Sequence, residues 1–115
     1  MDSTSNLQPP IFTDKNYELW SLTMIALFRC QDVWEIVKNG YVDPTDQGAY
    51  NSLTQAENDA LKYQRKKDGK TMFYIHQSRH ESIFPRVASA KQAKEAWDIL
   101  ETSYQGMDKV KTSKL

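Results

Sequence analysis

Histidine and cysteine, the residue types that most often ligate metals or act as nucleophiles, are sparse in this chain. His76 and His80 are four residues apart, which on a helix would place both imidazoles on one face and suit a metal ion. No carboxylate or third ligand follows at a metal-site spacing, so we interpret them as two partly exposed polar residues. Cys30 could act as a nucleophile beside a histidine, but it lies on an apolar stripe, where a cysteine usually packs as a small hydrophobe.

Motifs for catalysis and cofactor binding are also missing from the sequence. It contains no GxSxG motif, no glycine-rich phosphate loop and no zincin motif. The single thiol excludes an intrachain disulfide and a CxxC metal site, and is typical of a reducing compartment. We therefore expect no catalytic residues, no metal, no cofactor and no enzymatic activity.

Length and composition indicate one helical domain. The chain has 115 residues and 13.3 kDa, with 39% hydrophobic and 26% charged residues, and only 4 glycines and 4 prolines. No apolar run reaches the ~18 residues of a membrane span. The N-terminus lacks the pattern of a secretory signal, and Asp2 excludes N-myristoylation. We expect a cytoplasmic protein that does not bind membranes, with nuclear entry left open.

The charge is balanced, with 15 basic and 15 acidic residues, whereas a nucleic-acid module usually carries a basic excess. Two local basic runs stand out: Arg65, Lys66, Lys67 and Lys70, and then Lys109, Lys111 and Lys114. Solvated helix faces are the favoured interpretation, and weak RNA contact is the alternative. The three tryptophans could stack bases, but each lies at a helical core position.

The first predicted helix, from about Lys15 to Arg29, has two apolar stripes. One arc is predicted to face the core and contains Tyr17, Trp20, Met24, Leu27 and Phe28. A second arc, roughly opposite, contains Leu19, Leu22, Ala26 and Cys30. A surface helix usually has one stripe, so this helix is either sandwiched between layers or offers its second face to a partner. Ile11 and Phe12 are expected to anchor the preceding chain.

The middle of the chain contains clear helix signals. Asp32 is predicted to cap a short helix from Val33 to Lys38 that ends at Asn39-Gly40. Residues 41–52 resemble a loop. Thr54 and Glu57 have the spacing of a capping box, which starts a helix running towards Gln77 or Arg79, with a kink or break at Gly69 as an option.

The last third is predicted to contain one helical turn ended by Pro85 and a helix from Ser89 to Tyr104 that ends at Gly106. Ser89 and Gln92 have capping-box spacing. Residues 107–115 read as the start of a further, truncated helix, as in a fragment of a longer protein. The predicted organisation is therefore a flexible lead-in (1–10), a helical domain (11–106) and the truncated helix (107–115).

These elements predict an all-α fold, a compact bundle of about five to six helices. Its core is predicted from the apolar arcs and consists of Tyr17, Trp20, Met24, Leu27, Trp34, Val37, Met72, Ile75, Ile83, Trp97, Leu100 and Tyr104.

Two segments resemble the Gag proteins of copia-type LTR retrotransposons. The first is Asn16-Tyr17-x-x-Trp20 followed by Met24, Leu27, Trp34 and Val37. The second is similar to the family's A-K-E-x-W-D-x-L…Y segment and comprises Ile83, Val87, Ala93-Lys94-Glu95-Ala96-Trp97-Asp98, Leu100 and Tyr104. The resemblance covers about residues 11–115. Gln92 departs from it, since the family often has Thr or Ser there as a helix cap.

The resemblance implies a domain like a capsid N-terminal domain, which assembles into a virus-like particle around element RNA. The family's zinc knuckle, protease and polymerase regions are not in this chain, so zinc binding and catalysis are not carried over. Domesticated relatives offer an alternative: an adaptor that binds a peptide or protein in a hydrophobic groove between helices. For self-association we expect the contact face to be Leu19, Leu22, Ala26 and Cys30.

Overall fold

The computed structural model describes residues 8–13, 15–44, 46–78 and 84–104, together with the helical backbone of 105–113. These residues form helices and no strand, which confirms the predicted all-α class. The helices are α1 (Tyr17–Cys30), α2 (Trp34–Asn39), α3 (Gln47–Asn51), α4 (Gln55–Gln77), α5 (Phe84–Ala88) and α6 (Ala93–Ser113). Ile83, His80 and the first seven residues of the predicted lead-in lie outside the described residues.

Helix α6 is the centre of the bundle, because it packs against α1, α2, α4 and α5. Its inner stripe is buried as the periodicity predicts: Ala93, Ala96, Trp97, Leu100 and Tyr104. The indole of Trp97 lies 5.6 Å from that of Trp20 and 5.4 Å from the ring of Phe28, measured between centroids. The two alanines let neighbouring helices approach while Trp97 fills the space between them.

Helix α1 buries the first of its two stripes. Tyr17, Trp20, Met24, Leu27 and Phe28 are all buried, in agreement with the helical wheel. The chain before the helix is anchored by Phe12, which is buried and donates its backbone N–H to the carbonyl of Ser78 at 2.7 Å. The indole N–H of Trp20 donates to the carbonyl of Pro10. The lead-in is thus attached to the bundle from at least Pro10 onwards.

The predicted core agrees with burial at most positions. Tyr17, Trp20, Met24, Leu27, Val37, Ile75, Trp97, Leu100 and Tyr104 are buried, and Trp34 and Met72 are half-buried. Near the end of α4, Phe73 is exposed whereas its neighbour Tyr74 is buried. An apolar run on one helix cannot show which member faces inward until its packing partner is known.

The capping box of α4 is present as predicted. Thr54 Oγ1 accepts from the N–H of Glu57, and the Glu57 carboxylate accepts from the N–H of Thr54 at 2.9 Å. The helix continues through Gly69 to Gln77, so no break occurs. A single glycine raises the free energy of a helix by only about 1 kcal/mol relative to alanine, which the packing of α4 outweighs.

The prediction that Asp32 caps α2 is wrong. Asp32 has a φ of +60° and ends α1 instead. Its N–H donates to the carbonyl of Arg29, and the N–H of Val33 donates to that of Phe28, which together form a Schellman motif. Asp is one of the few residues that tolerate this left-handed conformation, and it is also a favoured N-cap. An aspartate between two helices can therefore end the first or begin the second.

Three other helix boundaries also differ from the predictions. Residues 41–52, predicted to be a loop, contain the five-residue helix α3, which the Asp46 carboxylate caps. A helix this short shows too little periodicity to be recognised from the sequence. Pro85 lies in the first turn of α5 rather than ending it, because a proline there removes no helical hydrogen bond. Helix α6 runs through Gly106, because a glycine ends a helix only where it adopts a capping conformation.

The start of α6 is held by a carboxylate from another helix. Asp68 of α4 is only 6% exposed, and its Oδ1 accepts the N–H of Ala93, the first residue of α6, at 2.8 Å. Ser89 does not form the predicted capping box; its hydroxyl donates to the carbonyl of Arg86. Burial raises the pKa of Asp68, although the bond from Ala93 opposes this effect.

Gln92 and Gly40 form a second connection between distant segments. The Gln92 amide accepts from the N–H of Tyr41 at 3.2 Å and donates to its carbonyl at 2.8 Å. Gly40, which ends α2 as predicted, has φ +66° and ψ −164°. A Cβ on Gly40 would lie 3.0 Å from Gln92 Oε1. This position therefore needs glycine both for its backbone conformation and for the close approach of Gln92.

Replacing Gly40 by alanine is predicted to destabilise the domain. The strained backbone conformation and the displaced Gln92 amide should lower the free energy of unfolding by about 1–3 kcal/mol. Gly69→Ala is the matched control: its Cβ would meet nothing within 4 Å, and helix propensity should raise stability by about 0.5–1 kcal/mol. Urea unfolding followed by circular dichroism measures both, and equal effects would contradict the prediction.

Asp68 is predicted to contribute through its acceptor oxygen rather than its charge. Asp68→Ala leaves the Ala93 N–H buried and unpaired, which should lower the free energy of unfolding by about 1–3 kcal/mol. Asp68→Asn keeps a carbonyl acceptor and should lose less. Chemical denaturation of the two variants and the parent domain measures the difference, and equal losses would contradict the role of the hydrogen bond.

The raised pKa of Asp68 also predicts how the free energy of unfolding depends on pH. Because the pKa of Asp68 is raised in the folded state, its stabilising effect is complete below the ordinary aspartate pKa of 3.8 and is lost as pH rises through the folded pKa. The stability of the parent domain relative to Asp68→Asn should therefore fall with rising pH in this window. A constant difference would contradict the raised pKa.

Candidate self-association surface

The second apolar stripe of α1 is not covered by the rest of the bundle. We call Leu19, Leu22, Ala26 and Cys30 the outer face of α1. Leu19 is 69% exposed and Leu22 61% exposed, and Ala26 and Cys30 are exposed as well. The option that α1 is sandwiched between two layers is therefore wrong. Contact with a partner stays a prediction.

The packing of the inner stripe determines where the outer face points. Trp20 and Phe28 lie against Trp97 of α6, and Met24 between them is fully buried. Successive residues of a helix are rotated by about 100°, so residues two positions away from this stripe must lie on the opposite side. The sequence of α1 thus places the outer face in solvent as soon as its aromatic residues bind α6.

The outer face can be buried without leaving a hydroxyl unpaired. Thr23, at its edge, donates its hydroxyl to the carbonyl of Leu19 at 2.9 Å within the helix. The face itself carries no charged side chain. Covering the exposed fractions of Leu19 and Leu22 would contribute about 2–4 kcal/mol together. The arrangement therefore suits contact with a second apolar surface.

The first basic run is divided by the fold. Arg65 forms a bidentate ion pair with Asp43, and Lys67 lies 3.5 Å from the Asp32 carboxylate. Lys66 and Lys70 form no ion pair within the described part of the chain, and both are exposed. Only part of the run that the sequence singled out is therefore available to an anionic partner. The side chains of Lys109, Lys111 and Lys114 lie outside the described residues.

One further lysine joins the exposed part of this run. Lys62, Lys66 and Lys70 repeat every four residues along α4, with the exposed ring of Phe73 on the same face. We call these four residues the α4 basic face. Lys62 lay outside the run of adjacent basic residues, and helical spacing was the signal that could have identified it.

The polar group around Asp43 is structural. The hydrogen bond from Arg65 lowers the pKa of the Asp43 carboxyl, which also accepts a hydrogen bond from the Tyr41 hydroxyl. Burial, reinforced by nearby carboxylates, raises the pKa of Tyr41 to about 12, so its hydroxyl stays protonated and continues to donate. This network connects the segment after α2 to α4 and contains no nucleophile.

The histidine considered for metal binding and the tryptophans considered for base stacking pack against aromatic rings of the bundle. His76 is half-buried with its ring 5.3 Å from that of Phe84, and its predicted partner His80 is not described. Within the described ranges, no group of three or more His, Cys, Asp or Glu side chains could hold a metal ion. Trp20 and Trp97 are buried in the core, and Trp34 is half-buried and stacks on Phe28.

One open cleft of about 530 Å³ lies beside the start of α6. Its lining is mainly charged or polar, with Ile99 as the apolar member, and includes Arg86, Lys91, Gln92, Lys94, Glu95, Asp98 and Thr102. Across the described residues, no helix combines the length and apolar character needed to cross a bilayer.

Comparison with known proteins identifies a family. The family model described as gag-polypeptide of LTR copia-type matches residues 24–115, which include the Trp97 segment and most of the bundle. No curated protein and no solved structure matches the chain significantly. The matched range covers most of the chain. The chain therefore belongs to the copia-type LTR gag-polypeptide family.

Proposed function

We propose that this domain is a structural, capsid-type module that associates with copies of itself through the outer face of α1. Within the complete Gag polypeptide, this contact would help to build a cytoplasmic virus-like particle. Family membership supports a structural Gag-type role. The observation that carries the proposed contact is the row of exposed apolar side chains from Leu19 to Cys30 on a helix whose opposite side is fully packed.

The size of the outer face suits a weak, repeated contact. One helix face covers less than the roughly 800 Å² per partner of a stable interface, so a single pair of domains should associate weakly. A shell contains many copies, and multivalency converts weak contacts into a stable assembly. Weak individual contacts also let misplaced copies dissociate during assembly. Contact between copies, rather than catalysis, is the function that this surface supports.

The adaptor alternative has less support. It needs an apolar groove between helices, whereas the cleft beside α6 has a largely charged lining. The exposed leucines form a convex helix face, which suits another helix better than an extended peptide. A defined peptide or protein partner thus stays a second prediction.

Leu22→Asp is predicted to weaken self-association without unfolding the domain. The side chain is 61% exposed, so the monomer should change in stability by no more than about 0.5 kcal/mol, whereas a carboxylate within an apolar contact is strongly unfavourable. Sedimentation velocity at millimolar concentration measures association of the isolated domain, and electron microscopy measures particles of full-length Gag.

The control is Val42→Asp, which adds the same charge at an apolar residue 86% exposed outside α1. It should leave association unchanged. Unaltered association in a folded Leu22→Asp variant, or an equal loss in both variants, would reject the outer face as the contact.

Weak RNA contact is a secondary proposal, supported by the α4 basic face. Its three lysines form no ion pair within the described residues, and Phe73 offers a ring on which a base could stack. The domain has no net charge, so we expect modest affinity with no sequence preference.

Replacing Lys66 and Lys70 by glutamine is predicted to reduce binding to single-stranded RNA. Loss of two phosphate contacts should reduce the slope of log affinity against log salt by about 1.4. Fluorescence anisotropy with a labelled oligonucleotide over a salt series measures this slope. Lys15→Gln/Lys91→Gln removes two exposed lysines elsewhere. An equal change in both double variants would indicate only a general charge effect.

A further inference from the structure

We propose that two copies of the domain pair their α1 helices antiparallel about a two-fold axis at the level of Met24, with Leu22 against Ala26 and Glu18 against Arg29 of the second copy. This inference rests on the proposed function of the outer face. It adds the direction in which the second copy binds and the residues that meet across the axis.

The first argument is the distribution of side-chain size along the outer face. Both large residues, Leu19 and Leu22, lie in its first half, and both small residues, Ala26 and Cys30, lie in its second half. Leu22 and Ala26 are each two residues from Met24, while Leu19 and Cys30 are five and six residues away. An antiparallel pair centred there places each leucine opposite a small residue, so the two surfaces interdigitate.

The second argument is charge at the edge of the same face. Glu18 and Arg29 lie about 20° apart on the helical wheel, beside Leu22, and both are exposed. Neither forms an ion pair within the described part of the protein. They are six and five residues from Met24, so the antiparallel pair brings Glu18 of each copy beside Arg29 of the other. The axis therefore generates the same favourable contact twice.

Parallel pairing provides neither the size complementarity nor the charge pairs. It places leucine against leucine at one end of the helix and leaves a gap between the small residues at the other end. It also places Glu18 and Arg29 of the two copies on opposite edges of the interface, so neither side chain meets an oppositely charged partner. Size and charge are independent properties of the sequence, and both favour the antiparallel arrangement.

Charge reversal tests the direction. Glu18→Arg and Arg29→Glu should each weaken dimerisation by about tenfold, because each places like charges together at two symmetric positions. The double variant Glu18→Arg/Arg29→Glu should return to within about threefold of the parent domain. Sedimentation equilibrium at low salt measures these constants. Circular dichroism checks that each variant is folded, as expected for exposed residues.

Cross-linking through the chain's only cysteine provides an independent measurement. In the antiparallel pair, the two copies of Cys30 are separated by about 18 Å along the helix axes, so oxidation should not link the parent chains. Leu19→Cys with native Cys30 should give a covalent dimer, and Leu19→Cys/Cys30→Ala should not. In a parallel pair, the parent chain and both variants would all cross-link.

The outcomes separate this inference from the proposed function. If Leu22→Asp abolishes association but the double charge variant shows no recovery, or if the parent chain cross-links through Cys30, the outer face is the contact and the antiparallel arrangement is wrong. If Leu22→Asp leaves association unchanged, or the parent domain stays monomeric at millimolar concentration, both proposals are wrong. Recovery in the double variant together with the predicted cross-links supports both.

Discussion

The packing of Trp97 is the interaction on which the rest of this domain depends. Its indole contacts aromatic rings from both α1 and α2, with centroid separations of 5.4–6.0 Å to Phe28, Trp20 and Trp34. These rings account for much of the apolar surface that the core can bury. Because they hold one side of α1 against α6, the opposite side has to face solvent, and the candidate contact surface is a direct consequence of the core.

Buried polar groups determine how the helices are joined. The Asp68 carboxylate satisfies the first N–H of α6, and the Gln92 amide pairs with the backbone of Tyr41. Both contacts join residues far apart in the chain; the first satisfies a buried backbone N–H, and the second pairs backbone groups of a half-buried residue. They align α6 with α4 and with the end of α2, which apolar packing alone would leave less specific.

Most of the architecture could be predicted from local patterns. The two stripes of α1, the capping box at Thr54, the end of α2 at Gly40 and the inner stripe of α6 depend on residues within a few turns of one another. Three of the errors have a common cause. Asp32, Pro85 and Gly106 each have more than one allowed role at a helix boundary, and the surrounding fold selects between them.

The sequence by itself determined that the chain is helical and which residues of each long helix share a face. It also determined that α1 has two apolar stripes, where a surface helix usually has one. Only the tertiary structure decided that the second stripe stays exposed, which basic residues pair with Asp32 and Asp43, and that a carboxylate on α4 caps α6. The reason is physical: periodicity and capping are set by neighbours along the chain. Burial and ion pairing depend on groups brought together only when the helices pack.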